Sequence, residues 1–327
     1  MTQSIRPFEG EGQWYKGNLH CHSTNSDGKL SPEDVLDFYR QRGYHFVALT
    51  DHHVFADYGH VGDDNFLVVP GFELSIDQER MPKGEHLCGF QMLPTNAIDP
   101  DSDHFSHKEA VPPKVWEKPE DIQDSIDFLR QKGLAVLLAH PAWSRSDRET
   151  LLNARGYFGI EVYNYDSDYK EYMGLSTDHW DFLLRRGRKI WGLATDDAHR
   201  YDGGYANGGW VVVKASELSI QAIMDSLLAG RFYSSSGPEL KDFRIEDGEV
   251  IVECSPVQAI HVISYERRGH SFRAAEGESL TSATWKLRGE EVYVRVECED
   301  SRGRTAWSNP IFYNSDFLQY VNEDYFM

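Results

Sequence analysis

His20-Cys21-His22, followed five residues later by Asp27, is an arrangement able to hold a metal ion near the start of the chain. In extended chain alternate side chains share a face, so His20 and His22 can address one ion while Cys21 points away. Further ligand-type residues recur in short, separate clusters: Asp51-His52, Glu73, His86, His140, and Asp197 with His199. Each stands where an apolar run gives way to polar residues, a recurrence that isolated core histidines do not produce. Imidazole and carboxylate ligands without thiolate suit Mn²⁺, Fe²⁺ or Zn²⁺, and a bridging Glu can hold two ions about 3.5–4 Å apart. Such a pair makes hydroxide from water near neutral pH.

The elements that must position these residues follow a repeating pattern. Four helical stretches end in Gly43, Gly133, Gly156 and Gly187, and each is followed by an apolar run: Phe46-Val47-Ala48-Leu49, Leu134 to Leu138, Phe158 to Val162, and Ile190 to Leu193. Basic residues in a last turn with Gly just beyond it are helix stop signals. The first helix has a matching start, with Ser31 as N-cap, Pro32 at the first helical position and Asp34 in the first turn. Near-continuous apolar strands alternating with helices predict a parallel sheet covered on both faces, as in α/β barrels. His52, His140 and Asp197 then fall at the C-terminal ends of strands, where barrel enzymes build their active sites.

At 327 residues the chain has room for one large domain and a smaller one. The pattern changes near Ser234-Ser235-Ser236-Gly237-Pro238. Beyond it Val250, Val252 and Cys254 alternate with Ile251 and Glu253, and Val292, Val294, Val296 and Cys298 alternate with Tyr293, Arg295, Glu297 and Glu299. Period-two alternation predicts antiparallel strands with one wet face, in a small β-sandwich-like domain over 238–327 after a barrel over 1–237. Between Pro94 and Pro119 lies a stretch without clear period, read as a lid, with His104 and His107 as exposed bystanders.

No run approaches the roughly 18 apolar residues of a membrane span, and no apolar stretch follows a basic start, so a soluble, cytoplasmic protein is expected, with no membrane partner. The net charge of −20 argues against nucleic acid, whose binding leans on Lys and Arg. Cys21, Cys88, Cys254 and Cys298 are too scattered for a disulfide framework or a zinc knuckle, and read as reduced, mostly buried thiols.

Taken together, Leu19-His20-Cys21-His22-Ser23 with Ser26-Asp27-Gly28, Thr50-Asp51-His52, Gly71-Phe72-Glu73, Gly84-Glu85-His86, Ala139-His140-Pro141 and Asp197-Ala198-His199 resemble the PHP family, the polymerase and histidinol phosphatase superfamily of metal-dependent phosphoesterases. The resemblance covers residues from about Gly17 to Gly237. The closing Gly230-Arg231-Phe232-Tyr233 and Ser235 to Pro238 look like the carbaryl-hydrolase-like branch. The resemblance implies an α/β fold, a distorted (β/α)7 TIM-like barrel with two or three divalent metal ions. Carried over by motif, His20, His22, Glu73 and Asp197 would hold one metal, Glu73, His86 and His140 a second, and Asp27, His52 and His199 a third. Asn18 and Asp196 depart from the family pattern, at positions that are not ligands in this assignment.

Three divalent ions bring six positive charges and Asp27, Glu73 and Asp197 return three, so the site complements a small anionic phosphoester. Arg145, shortly after His140, and Arg200, directly after His199, are either rim cations that grip phosphate oxygens or solvated surface charges. Asp51 either orients a ligand and relays a proton to the leaving group or caps the turn after its strand. Asn164 is placed near the pocket, and Glu161 is read either there or as a structural partner within the barrel. The expected function is hydrolysis of a small phosphomonoester or phosphodiester by metal-bound hydroxide. The alternatives are a carboxylic or carbamic ester hydrolase on the same centre, and a non-catalytic metal-binding or ligand-binding module.

Overall fold

The computed structural model describes residues 4–8, 10–55, 57–75, 84–92, 120–265 and 267–313. The stretch with His104 and His107 lies outside them. Strands β1 (Ser4–Ile5), β2 (Gln13–Asn18), β3 (Phe46–Leu49), β4 (Leu67–Ser75), β5 (His86–Gln91), β6 (Leu134–Ala139), β7 (Gly159–Asn164), β8 (Trp191–Thr195), β9 (Trp210–Ala215) and β10 (Phe232–Ser235) occupy the larger part of the chain. Between them run α1 (Pro32–Arg40), α2 (Glu120–Gln131), α3 (Pro141–Ser144), α4 (Arg148–Asn153), α5 (Tyr165–Glu171), α6 (Thr177–Arg185) and α7 (Ile220–Leu228). The remainder is antiparallel: β11 (Leu240–Glu246), β12 (Glu249–Val257), β13 (Ala259–Ser264), β14 (His270–Arg273), β15 (Leu280–Lys286), β16 (Tyr293–Glu299), β17 (Thr305–Ser308) and β18 (Ile311–Phe312).

Local signals become local structure where they are strongest. Ser31 accepts a hydrogen bond from the Asp34 amide at the head of α1, with Pro32 its first residue. Gly43, Gly133, Gly156 and Gly187 all take φ between 73° and 89°, the left-handed conformation that ends a helix cheaply only at glycine.

The architecture is mixed α/β around one large sheet, in the order β14-β13-β16-β17-β10-β9-β2-β3-β4-β5-β6-β7-β8. β2, β3 and β4 are parallel neighbours, as are β6, β7 and β8. β5 is antiparallel to both β4 and β6, and β9 is antiparallel to β2. The path is therefore neither wholly parallel nor the closed seven-stranded ring expected. Its strands nonetheless curl around one core, in which Leu19, Phe46, Val69, Phe90, Leu137, Leu193 and Val211 meet. At the C-terminal ends of β2 and β8 the Asp197 amide donates to His20 O and the His22 amide to Ala198 O. Lower down, side chains serve the free edge of β8: Asn309 accepts from the Gly192 amide, and the Ser234 hydroxyl accepts from the Ala194 amide while donating to Gly192 O.

The strands beyond residue 237 form two antiparallel layers. One is a four-stranded sheet, β1-β11-β12-β15, to which the N-terminal β1 contributes; the other continues the large sheet through β10 and β17. Alternation holds in β12, where Val250, Val252 and Cys254 are buried. It fails in β16, where Tyr293 and Arg295 are buried as well. The supposedly wet face of β16 lies against α6: Arg295 sits over the Trp180 ring, pairs with Asp181 at 2.7 Å, and also pairs with Glu297. All four cysteines are free and buried. No described helix is long and apolar enough to cross a membrane.

Candidate metal centre

The ligand-type residues gather at one end of the sheet because parallel strands deliver their C-terminal ends there. β2 leads to His20 and His22, β3 to His52, β6 to His140 and β8 to Asp197 and His199. β5 runs the other way, so its first residue, His86, reaches the same end. Glu73, near the end of β4, lies in their midst. Its Oε1 is 2.8 Å from His86 Nδ1 and 3.2 Å from His140 Nε2. Its Oε2 is 3.2 Å from His20 Nε2, 3.3 Å from His22 Nε2 and 3.1 Å from His52 Nδ1. One carboxylate thus faces two groups of imidazoles, one oxygen to each.

Asp197 Oδ1 approaches His22 Nε2 at 3.0 Å and His20 Nε2 at 3.2 Å, completing a buried set of His20, His22, Glu73 and Asp197. A more exposed set holds Asp27, His52 and His199, with Asp27 Oδ2 3.3 Å from His199 Nε2. His22 joins that second set through Nδ1, 3.7 Å from Asp27, so it stands between the two. His52 joins Glu73 and His86 in a third. All nine ligand-type residues singled out by motif are brought together, with His22 and His52 shared more widely than the motifs indicated.

The arrangement calls for a cation. Buried His20 Nε2 and Glu73 Oε2 have no hydrogen-bond partner although they lie 3.2 Å apart. His20 Nδ1 is engaged at 2.7 Å by Glu161, so a neutral His20 turns the lone pair of Nε2 toward carboxylate oxygens. That contact repels unless positive charge lies between the groups. Burial opposes protonation of His20, yet Asp197 and its acidic neighbours carry its pKa well above the usual imidazole range. Burial likewise disfavours the charged forms of Glu73 and Asp197, but the surrounding imidazoles hold both well below the carboxylate range. Donor types and orphaned atoms together fit a divalent metal.

Two of the ligand-type residues carry a strained backbone. His140 and Asp197 take φ of 29° and 53°, a region costly for residues with a Cβ. His140 is held there by its amide, which donates to Glu161 Oε2, and by the Ser144 hydroxyl at its Nδ1. Glu161 is fully buried and accepts from four groups: His20 Nδ1, Thr195 Oγ1, the His140 amide and Asn164 Nδ2. Asn164 also donates to Asp197 Oδ2, tying both sides of the cluster to β7. Asp196 is buried too, its carboxylate accepting from the amides of Asn207, Gly208 and Gly209 and from the Tyr39 hydroxyl. It anchors the glycine-rich loop beside the site.

A cavity of about 310 Å³ opens over the ligand residues and is walled by Trp143 and by Asp166, Ser167, Lys170 and Glu171 from the start and end of α5. Neither Arg145 nor Arg200 lines it. Arg145 is exposed, its guanidinium against Met173 Sδ. Arg200 is paired with Asp202 on the surface and lies over Tyr205. Lys170 is the cation that lines the cavity among the described residues, bonded at 2.7 Å to Asp166. Nothing in its local sequence distinguishes it from any helix-surface lysine, so sequence reasoning passed it over. Asp51 also stands elsewhere than a proton relay requires: its carboxylate accepts from the Ser23 amide and hydroxyl and from the Ser26 hydroxyl, clamping the turn after His22.

No family model matches the chain. A 5′-3′ exoribonuclease of Haemophilus influenzae is 33% identical over 85 residues, which span 25% of this chain and 30% of that protein. A solved two-domain protein from Bacteroides vulgatus, described as containing a predicted PHP-like metal-dependent phosphoesterase, superposes with a TM-score of 0.50 over 88% of this chain and 91% of its own, at 16% identity. The chain has the PHP-like fold. Endonuclease Q, in complex with a 27-mer duplex substrate bearing an abasic lesion, is a more distant likeness at a TM-score of 0.44 and 12% identity, over 66% of this chain and 56% of that one. The expectation that nucleic acid is no partner is corrected here, since the protein matched at 33% identity over 85 residues is named for acting on RNA. Net charge sums the whole surface, whereas the field at a site is set by its own groups and bound ions.

Proposed function

We propose that the chain is a metal-dependent hydrolase that cleaves a phosphomonoester or phosphodiester. The observation that carries this reading is Glu73, whose two oxygens face separate groups of imidazoles and so suit a carboxylate bridging two ions. In this reading His20, His22, Glu73 and Asp197 hold one ion, Glu73, His86 and His140 a second, and Asp27, His52 and His199 a third. Bound there, divalent ions supply Lewis acidity and an activated water. The chain's own groups do the rest. Glu161 fixes the proton of His20 on Nδ1 and so aims Nε2 at the centre. Trp143, edge-on to the rings of His86 and His140, closes one wall against water. Lys170 offers its ammonium to the charged oxygens of the substrate, exchanging part of its bond to Asp166. The chemistry belongs to residues 1–237, with the strands beyond forming a second, structural domain.

The test is a panel of phosphomonoesters, phosphodiesters and uncharged carboxylic and carbamic esters, assayed on chelator-treated protein before and after addition of Mn²⁺, Fe²⁺ or Zn²⁺. Phosphoester turnover that returns with metal and is lost in Glu73→Ala is the expected result. Turnover confined to uncharged esters, or undiminished in metal-free protein, would overturn the proposal.

A further inference from the structure

A second cavity, of about 520 Å³, lies on the outer face of the sheet and shares no lining residue with the metal-site cavity. Its walls come from β2, β9, β10 and the start of β11, and they present Trp14, Trp210 and Tyr233 together with Lys16, His45 and Lys241. In a chain of net charge −20 this lining holds two lysines, Lys16 and Lys241, and one acid, Glu239, while His45 accepts from the Lys16 amide at Nδ1.

Lys16 is the informative group. Its half-buried ammonium lies 3.9 Å from the centre of the Tyr44 ring and 4.1 Å from that of Trp210, and donates to Asn207 Oδ1 at 3.3 Å. The aromatic faces attract its charge but do not neutralise it, and an ammonium has three N–H donors to satisfy. Among the described residues Lys16 and Lys241 form no ion pair. A partly desolvated cation with no ion-pair partner, held over a phenol and an indole ring in a concave site, is complementary to an anion joined to a flat apolar body. The volume falls within the range of small-molecule sites, roughly 300–1,000 Å³.

We propose that this cavity is a second ligand site, separate from the metal centre, for a small planar anion of nucleotide size: its negative group meets Lys16 and Lys241, and its ring lies against Trp210 and Trp14.

Calorimetric titration of the full chain with adenosine 5′-monophosphate tests this, with adenosine and inorganic phosphate as the separated halves of the probe. The titration is repeated on His20→Ala, in which the metal centre is disabled. Expected is one binding event retained in His20→Ala, at least tenfold weaker for either half alone, and weakened about tenfold or more in Lys16→Met, the ratio expected for loss of a charge-assisted contact. Lys241→Glu, on an exposed position of β11 where folding is not at risk, should weaken binding in the same direction. Absence of binding, binding lost with the metal centre, or wild-type affinity in both lysine variants would overturn the proposal. Because binding is read at the second cavity in a chain whose metal centre is disabled, its failure leaves the hydrolase reading untouched.

Discussion

Replacing Glu161 by Gln changes almost no volume and removes one charge from the middle of the centre's support. In the wild-type chain Oε1 accepts from His20 Nδ1 and Thr195 Oγ1 at 2.7 Å each, and Oε2 accepts from the His140 amide and Asn164 Nδ2 at 2.8 Å each. A carboxylate satisfies all four donors; an amide has one acceptor oxygen, so its NH₂ must face two of them. If the NH₂ turns to His20, the imidazole moves its proton to Nε2 and ceases to be a ligand. If it turns to His140, the amide of a left-handed residue loses its acceptor. Either orientation forfeits a hydrogen bond to a charged group, about 1.5–3 kcal/mol, and 1.4 kcal/mol is a factor of ten. Metal affinity should therefore fall roughly 10- to 150-fold, in line with the 10- to 100-fold typical of groups that orient metal-bound histidines. Competition with a chromophoric chelator measures this directly, and circular dichroism checks that the variant folds. Unchanged affinity in folded Glu161→Gln would refute the claim that Glu161 sets the His20 tautomer.

The same reasoning yields three more expectations. Lys170→Gln should lower kcat/KM for phosphoesters by roughly ten- to a hundredfold while Arg145→Ala and Arg200→Ala leave it within about twofold, because Lys170 alone of the three lines the cavity; an equal loss in the arginine variants would reverse the assignment. Asp196→Ala strands three amides and the Tyr39 hydroxyl in the interior, so urea denaturation should show a loss of about 3 kcal/mol or more; a loss below about 1 kcal/mol would refute that accounting. Burial lowers the Lys16 pKa to about 8, against the opposing pull of Asp196. Between that value and the ordinary lysine range near 10.5 the unfolded chain binds the extra proton, so this residue's contribution to stability rises with pH there. The Tm of Lys16→Met relative to wild type, measured without ligand, should accordingly fall across pH 8 to 10, and a flat difference would show that Lys16 titrates normally.

What the sequence made legible was what is local or repeated. His20 and His22 announce themselves by spacing, Ser31-Pro32 marks a helix start, and the glycines closing α1, α2, α4 and α6 carry their conformation in their chemistry. Strand direction is not local. Nothing within His86 to Gln91 says that this run is antiparallel to its neighbours, and only pairing with β4 and β6 decides it. The expected ring of parallel strands failed at that point, although His86 itself was found by motif. Tertiary cover is equally silent: Arg295 reads as a solvent-facing alternation until α6 is laid across it with Asp181. Rim charges failed for a related reason. Nearness in sequence to His140 and His199 put Arg145 and Arg200 forward, but the left-handed turn at Arg145 and the adjacent Asp202 direct both guanidinium groups elsewhere.

The side-chain caps on β8 bear on how this chain can be divided. Asn309 and Ser234 do for β8 what a neighbouring strand would do, and β10 in turn depends on β17 for its outer hydrogen bonds. A chain shortened to residue 237 would retain the nine ligand-type residues but lose Asn309 and β17 together. It would leave the Gly192 amide without its acceptor and the outer edge of β10 without its partner strand, and an open strand edge recruits strands from other molecules. The ligand-type side chains and part of the edge protection of their sheet are thus encoded in different parts of the sequence, and grafting residues 1–237 onto another protein would require carrying that protection with them.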